Sequence, residues 1–201
     1  PTGTYNNEQE LRYFLEHVPA HVIVVVDEAY AEFVTATDYP NTLQLQLSHP
    51  NLIITRTFSK VYGLAGLRVG YSISDPTVAD LLNRVRLPFN VNNAGYAAAI
   101  SALHDQQHVQ KTQHLVQQQK AWLLQQFAAL GLSVIPSMTN FLTVDMGRAA
   151  LPIYEALLMQ GIIVRPLLPY NMPNHLRITI GLAQQNEQLC LALKQILMKQ
   201  G

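Results

Sequence analysis

The sequence predicts an open α/β sheet of partly parallel strands, followed by a compact α+β unit. Three observations carry that expectation. The runs at 22–26, 52–55 and 69–73 are short, continuous and rich in β-branched residues, the pattern of strands buried on both faces. Helical periodicity lies between or after them, which is the alternation of an α/β fold. Beyond a break at Pro88-Phe89-Asn90-Val91-Asn92-Asn93 come long helices, then short strands mixed with helices.

The elements follow in order. Asn6 or Asn7 caps a first helix with Leu11, Phe14, Leu15 and Val18 on one face, ended by Pro19. The three strand runs come next, and Pro76 at the first helical position opens a helix reaching about Leu87. Alanine-rich and glutamine-rich helices are expected at 93–103 and 106–130. In the second of these, Val109, Leu115, Val116, Trp122, Leu123 and Phe127 keep an apolar stripe, so its glutamines and histidines form a solvated face. Gly131 suits the position after that helix. Strands at 141–144, 162–164 and 176–180, with helices at 151–159 and 184–199, complete the second unit. The expected domain boundary is therefore at the break, with residues 1–91 in one domain and 92–201 in the next.

Composition narrows the function classes. The chain has 201 residues, 49% of them apolar, with 13 basic and 13 acidic side chains. A zero net charge gives no electrostatic footprint for nucleic acid or an anionic membrane. No apolar run approaches the ~20 residues that span a bilayer. The single Cys190 has no internal disulfide partner and falls in an apolar helical pattern, so it reads as an inert core thiol. The expected setting is a reducing cytoplasm. The chain opens in a turn-like Pro1-Thr2-Gly3 without an initiator Met, and the expectation is that something precedes it.

The chemistry concentrates in Thr55-Arg56-Thr57-Phe58-Ser59-Lys60 and Gly63-Leu64-Ala65-Gly66-Leu67-Arg68. Lys60, just past a strand and among small residues, suits Schiff-base chemistry if it is partly desolvated; alone it would read as a surface lysine. Thr57, Ser59 and Arg68 supply donors for a phosphate dianion, and Gly63 and Gly66 permit tight turns. Asp27 ends a strand, where ligands bind in open α/β sheets, and its carboxylate can pair with a protonated pyridine nitrogen or cap a helix. Tyr30 offers either a hydrogen bond to a ring oxygen or a buried structural phenol. Glu28 and Glu32 read as solvated or structural. Amine, carboxylate and anion donors together suit a phosphorylated aromatic aldehyde, pyridoxal 5'-phosphate. In the second unit, Arg165 and Arg177 lie at or near strands and can clamp an anionic substrate group, or form surface ion pairs. The seven histidines show no metal-ligand spacing; His104, His108 and His114 read as solvent-facing, and no metal site is expected.

These residues resemble the fold-type I aminotransferases that depend on pyridoxal phosphate, and within them the histidinol-phosphate branch. The resemblance runs through Pro1-Thr2-Gly3, Asp27-Glu28-Ala29-Tyr30, Thr57-Phe58-Ser59-Lys60, Gly66-Leu67-Arg68 and Pro88-Phe89-Asn90-Val91-Asn92. It continues through Thr139-Asn140-Phe141, Gly161-Ile162-Ile163-Val164-Arg165-Pro166 and Leu176-Arg177-Ile178-Thr179.

The resemblance implies a large three-layer, mostly parallel sheet domain, of which this chain carries the C-terminal part, then a small α+β domain. It implies Lys60 as catalytic residue, and Asp27, Tyr30, Thr57, Ser59 and Arg68 as cofactor-binding residues. Arg177 would take the carboxylate of glutamate or the substrate phosphate, assisted by Arg165. The implied reaction moves an amino group between L-histidinol phosphate and 2-oxoglutarate in a homodimer. A related threonine-phosphate decarboxylase and a non-catalytic interaction domain are the alternatives. Family motifs that normally lie before the Pro-Thr-Gly are absent, which implies that these residues alone bind the cofactor weakly or not at all and do not turn over.

Overall fold

In the computed structural model, which describes residues 1–199, the chain divides into two compact units. One is built from residues 6–111, the other from residues 1–5 and 112–201. They part inside a helix, downstream of the 91/92 boundary read from the sequence.

The 6–111 unit begins with α1 (Glu8–His17). Asn7 rather than Asn6 is its cap. The Asn7 Oδ1 accepts from the Glu10 N–H and Glu10 Oε2 accepts from the Asn7 N–H, both at 2.9 Å, which closes a capping box. Strand β1 (Val24–Asp27) runs parallel to β2 (Leu52–Thr57), and β3 (Gly70–Ile73) pairs antiparallel to β2. A parallel pair needs a crossover. Here the connection contains α2 (Thr42–Gln46), a five-residue helix that the sequence reading missed.

Leu15 of α1, Leu45 of α2, Val24, Leu52 and Ile54 form one buried cluster on a single face of this sheet. The other face of β1 is bare: Ile23 is 53% exposed and Val25 57%. The expectation that 22–26 is buried on both faces is therefore corrected. A β-branched run marks the strand, but burial alternates along it because described residues cover only one side.

Beyond the sheet come α3 (Pro76–Val85), capped by Asp75, α4 (Asn93–His104), capped by Asn92, and α5 (Gln106–Ala129), which passes from one unit into the other. Within α5, Val109, Val116, Leu123 and Phe127 are buried as its stripe requires. Gly131 has φ +72°, the left-handed turn expected after the helix.

The second unit is a four-stranded antiparallel sheet in the order β4-β5-β7-β6, with α6 (Ala150–Leu158) and α7 (Ala183–Lys199). Its strands are β4 (Ser133–Ile135), β5 (Phe141–Asp145), β6 (Arg165–Leu167) and β7 (Met172–Thr179). The strand expected at 162–164 is displaced to Arg165–Leu167. Gly161 (φ +74°) turns the chain out of α6, and the Ile162 N–H returns to the Leu157 carbonyl, so sheet pairing starts only at Arg165. Pro166 is tolerated because β6 lies at the sheet edge. Cys190 is buried in α7, and burial pushes its thiol up to about 11. Among the described residues, no helix is long and apolar enough to cross a membrane.

Candidate functional site

The carboxyl ends of β1 and β2 lie side by side, with Asp27 opposite Thr55 in the parallel register. Asp27 is exposed, and its Oδ1 accepts from the Ala29 N–H at 3.1 Å. That turn replaces the helix which Asp27 would otherwise have capped; a short 3-10 turn follows at Ala31–Phe33.

From the end of β2, a loop is anchored by buried apolar side chains, and its polar side chains project outward. Phe58 and Val61 are 4% and 1% exposed. The Phe58 N–H donates to the Val69 carbonyl, and the Phe58 carbonyl accepts from the Leu64 N–H. Between these anchors, Thr57 Oγ1 accepts from the Ser59 N–H at 3.1 Å, a local side-chain turn.

Lys60 is exposed, not partly desolvated as the sequence suggested. Its Nζ stands over the Tyr30 ring, 5.3 Å from the centroid. Gly63 takes φ +71°, but Gly66 sits in open space, and the second left-handed residue is Arg68 itself (φ 56°). There the guanidinium Nη1 donates to the Ala65 carbonyl at 2.9 Å and reaches Ser59 Oγ at 3.5 Å. Gly70 is needed for a different reason: a Cβ there would stand 2.7 Å from the Arg56 carbonyl.

The structure thus brings Asp27, Tyr30, Thr57, Ser59, Lys60 and Arg68 to one end of the β1–β2 sheet. Asn92 ties the loop to α4: its Nδ2 donates to the Leu67 carbonyl, and its Oδ1 accepts from the Gly95 N–H. His108, expected to face solvent, is exposed, but its Nε2 lies 3.0 Å from the Val61 carbonyl. A carbonyl only accepts, so Nε2 carries the hydrogen.

Sequence reasoning missed what lies behind this site. Glu28 is 2% exposed, and its Oε2 accepts from Arg56 Nε and Nη2 at 2.9 and 2.7 Å. Its Oε1 accepts from Thr42 Oγ1 at 2.7 Å and from the Tyr39 hydroxyl at 3.4 Å. Burial opposes the Arg56 charge, but Glu28, with help from Tyr71, more than offsets it and holds the guanidinium above its ordinary value. Burial first, then the Glu28 charge, push the Tyr39 phenol up, so it remains a donor. The available signal was an arginine inside an otherwise apolar strand.

Nearby, burial raises the Glu32 carboxyl above 4.5, opposed by its own backbone hydrogen bond and the Arg56 charge, with the Glu28 charge adding to the rise. A folded value above the unfolded one means that the native state binds the proton more tightly. Stability is then lost as pH rises from the unfolded value through the folded one. Glu32→Gln is expected to remove that loss. Its thermal midpoint should exceed the parent's near neutral pH and match it in acid, and equal midpoints throughout would refute the effect.

In the other unit, Arg165 and Arg177 are paired across β6 and β7. Arg177 is half-buried, its Cζ 4.8 Å from the Phe141 ring centroid, and Arg165 packs over Tyr170 at 5.9 Å. Among the described residues neither makes an ion pair with a carboxylate. Two like charges directly opposite each other are unfavourable, and an anion bound between them relieves the repulsion.

A family model described as aminotransferase class I and II matches residues 1–193. The chain belongs to that family. This aminotransferase-family chain is 51% identical over 199 residues to histidinol-phosphate aminotransferase 2 of Pseudomonas fluorescens, covering 99% of the chain and 54% of the relative. It is 49% identical over 197 residues to histidinol-phosphate aminotransferase 1 of Nitrosococcus oceani, covering 98% and 53%. The chain spans about half the length of the curated relatives it matches.

Among solved structures, a histidinol-phosphate aminotransferase from Sinorhizobium meliloti in complex with pyridoxal-5'-phosphate superposes with a TM-score of 0.93 at 31% identity. It covers 100% of this chain and 56% of that one. L-threonine-O-3-phosphate decarboxylase from Porphyromonas gingivalis has a TM-score of 0.83 at 22% identity, covering 98% and 62%; at that identity the likeness speaks for the fold alone. The fold is that of the fold-type I aminotransferases.

Proposed function

We propose that the polypeptide carrying these residues is a pyridoxal-phosphate-dependent transaminase. It moves the amino group of L-histidinol phosphate to 2-oxoglutarate, giving imidazole-acetol phosphate and glutamate in histidine biosynthesis. The observation that carries this reading is the identity of about half, over nearly the whole chain, to histidinol-phosphate aminotransferases.

The donor set fits the cofactor. Arg68 with the Thr57 and Ser59 hydroxyls forms a cradle for a phosphate dianion. Asp27, exposed at the strand end, would pair with a protonated pyridine nitrogen, and the Tyr30 hydroxyl would donate to the ring oxygen. When bound, pyridoxal phosphate supplies the electron sink that acidifies the substrate Cα–H and carries the amino group between substrates. Lys60 Nζ would hold the cofactor through its aldehyde carbon, and the same amine would serve as the base for the substrate Cα proton. Arg177 holds the glutamate carboxylate or the substrate phosphate, with Arg165 assisting.

The same reading assigns residues 1–91 to the large cofactor-binding domain and 92–201 to the small one, in a cytoplasmic homodimer. It holds that residues 1–201 alone bind the cofactor weakly and do not turn over. The bare face of β1 and the exposed Lys60 support that.

The test supplies the longest natural form of the polypeptide with pyridoxal phosphate and then L-histidinol phosphate, L-glutamate or O-phospho-L-threonine. The two amino donors are expected to convert the cofactor to its amine form without release of carbon dioxide. Carbon dioxide from phosphothreonine would favour the decarboxylase, and inertness towards all three would favour a non-catalytic domain. Turnover by residues 1–201 alone would overturn the inactivity proposal.

A further inference from the structure

Behind the cofactor site lies an ion pair, its Glu28 carboxylate buried and its Arg56 guanidinium half-buried, for which the proposed chemistry has no direct use. We propose that Glu28 and Arg56 are positioning residues: their pairing fixes the separation and orientation of Asp27 and the Thr57–Lys60 loop. The inference rests on the cofactor reading above.

The strand register places the pair. Val26 lies opposite Ile54 and Asp27 opposite Thr55, and the Glu28 N–H continues the ladder by donating to the Thr55 carbonyl at 2.9 Å. Glu28 and Arg56 therefore occupy the next rung, at the point where the two chains would otherwise diverge. Alternate residues of a strand face opposite sides, so the pair backs onto the side carrying Asp27 and Thr57. The burial agrees: Glu28 is enclosed, and Asp27 beside it is exposed.

Every oxygen of the Glu28 carboxylate is engaged. Arg56 donates from two nitrogens to Oε2, and Thr42 and Tyr39 donate to Oε1. Thr42 is the first residue of α2 and Arg56 faces Tyr71 across β3, so one carboxylate locks three elements together.

Each member of the pair is one residue from a turn that presents a site group. Glu28 sits between Asp27 and Ala29, whose N–H donates to the Asp27 carboxylate. Arg56 precedes Thr57, whose hydroxyl accepts from the Ser59 N–H one residue before Lys60. Each turn carries one side-chain hydrogen bond on the solvent side, and buried Phe58 and Val61 anchor the loop beyond Thr57. Those bonds act within each segment, whereas the Glu28–Arg56 rung ties one segment to the other and so bears on the spacing of Asp27 and Lys60. A buried ion pair adds little stability compared with apolar residues of the same size, and specifying one arrangement is the best-supported reason to keep it.

The test separates positioning from stability. The polypeptide in its longest natural form, carrying Glu28→Met with Arg56→Leu, is compared with its parent of the same length by thermal unfolding, by hydrogen exchange without cofactor, and by absorbance titration with pyridoxal phosphate. A similar midpoint is expected, with exchange at the Ala29 and Ser59 amides faster by at least about tenfold and pyridoxal phosphate affinity weaker by a similar factor. Arg56→Lys, which keeps the charge but loses the planar fork, is expected to restore only part of the protection. If the double variant does not fold, Glu28→Gln is read by the same two measurements.

A folded variant with parental exchange and parental affinity overturns the proposal. Faster exchange with weaker binding supports it. A parent that takes up no pyridoxal phosphate sinks the cofactor reading alone, because the exchange result still decides whether the pair fixes the two turns.

Discussion

Lys60→Ala is expected to abolish both the visible absorption band of a lysine-bound pyridoxal ring and amino transfer by the polypeptide in its longest natural form. The loss of turnover should reach at least about 10⁴-fold, the upper end of what one positioned proton-transfer group contributes. The expected selectivity of this loss follows from the geometry. Lys60 is exposed and its amine stands over the Tyr30 ring, but the loop itself is held by buried Phe58 and Val61 on either side of it. The phosphate donors Thr57, Ser59 and Arg68 make their contacts without the lysine amine. The variant should therefore fold like the parent and still take up pyridoxal phosphate, but without covalent attachment. Absorbance titration, equilibrium dialysis and a transamination assay on the same preparation distinguish these effects. Turnover that survives the substitution would remove Lys60 from the chemistry and with it the transaminase reading.

The parts of the fold legible in the sequence are those whose signal is local. The runs at 52–55 and 141–144 fall within strands β2 and β5, and Asn7, Pro76 and Gly131 mark helix ends because a single residue type carries each signal. Elements of three to five residues, β4 and α2, carry too little periodicity to stand out. Local pattern also misleads where the neighbours decide. The valines of β1 promise two buried faces and receive one, and Ile162-Ile163-Val164 reads as a strand although Gly161 and the Ile162 bond hold it in the turn after α6.

The site divides the same way. Asp27, Tyr30, Thr57, Ser59, Lys60 and Arg68 stand out through residue type next to strand ends, and the structure gathers them at one sheet end. The carboxylate partner of Arg56 could not be read, because it lies 28 residues away in the chain and only strand register brings it across.

Glu28→Ala is expected to lower stability by about 1–3 kcal/mol, the cost of leaving enclosed donors without their acceptor. Removing this carboxylate leaves Thr42 Oγ1 and the Tyr39 hydroxyl without the acceptor they share and turns the half-buried Arg56 to water for its partner. At about 2–4 °C per kcal/mol for a chain of this size, the midpoint should fall by about 2–12 °C. Trp122 lies in the other compact unit, so far-ultraviolet circular dichroism is a better probe than its fluorescence. The exposed pair Glu8–Arg12 on α1 is the internal control. Its side chains are 40% and 48% exposed, so solvent screens the pair and Glu8→Ala should move the midpoint far less than Glu28→Ala. Equal losses from the two substitutions would show that the Glu28 site is hydrated and not sealed. The sign should also reverse with the number of partners removed. Taking away one member of the buried pair is costly, whereas replacing both with apolar residues of similar volume is neutral or stabilising by about 1–4 kcal/mol. A pair whose joint removal costs nothing in stability is retained for where it holds its neighbours, and those neighbours are Asp27 on one strand and the Thr57–Lys60 loop on the next.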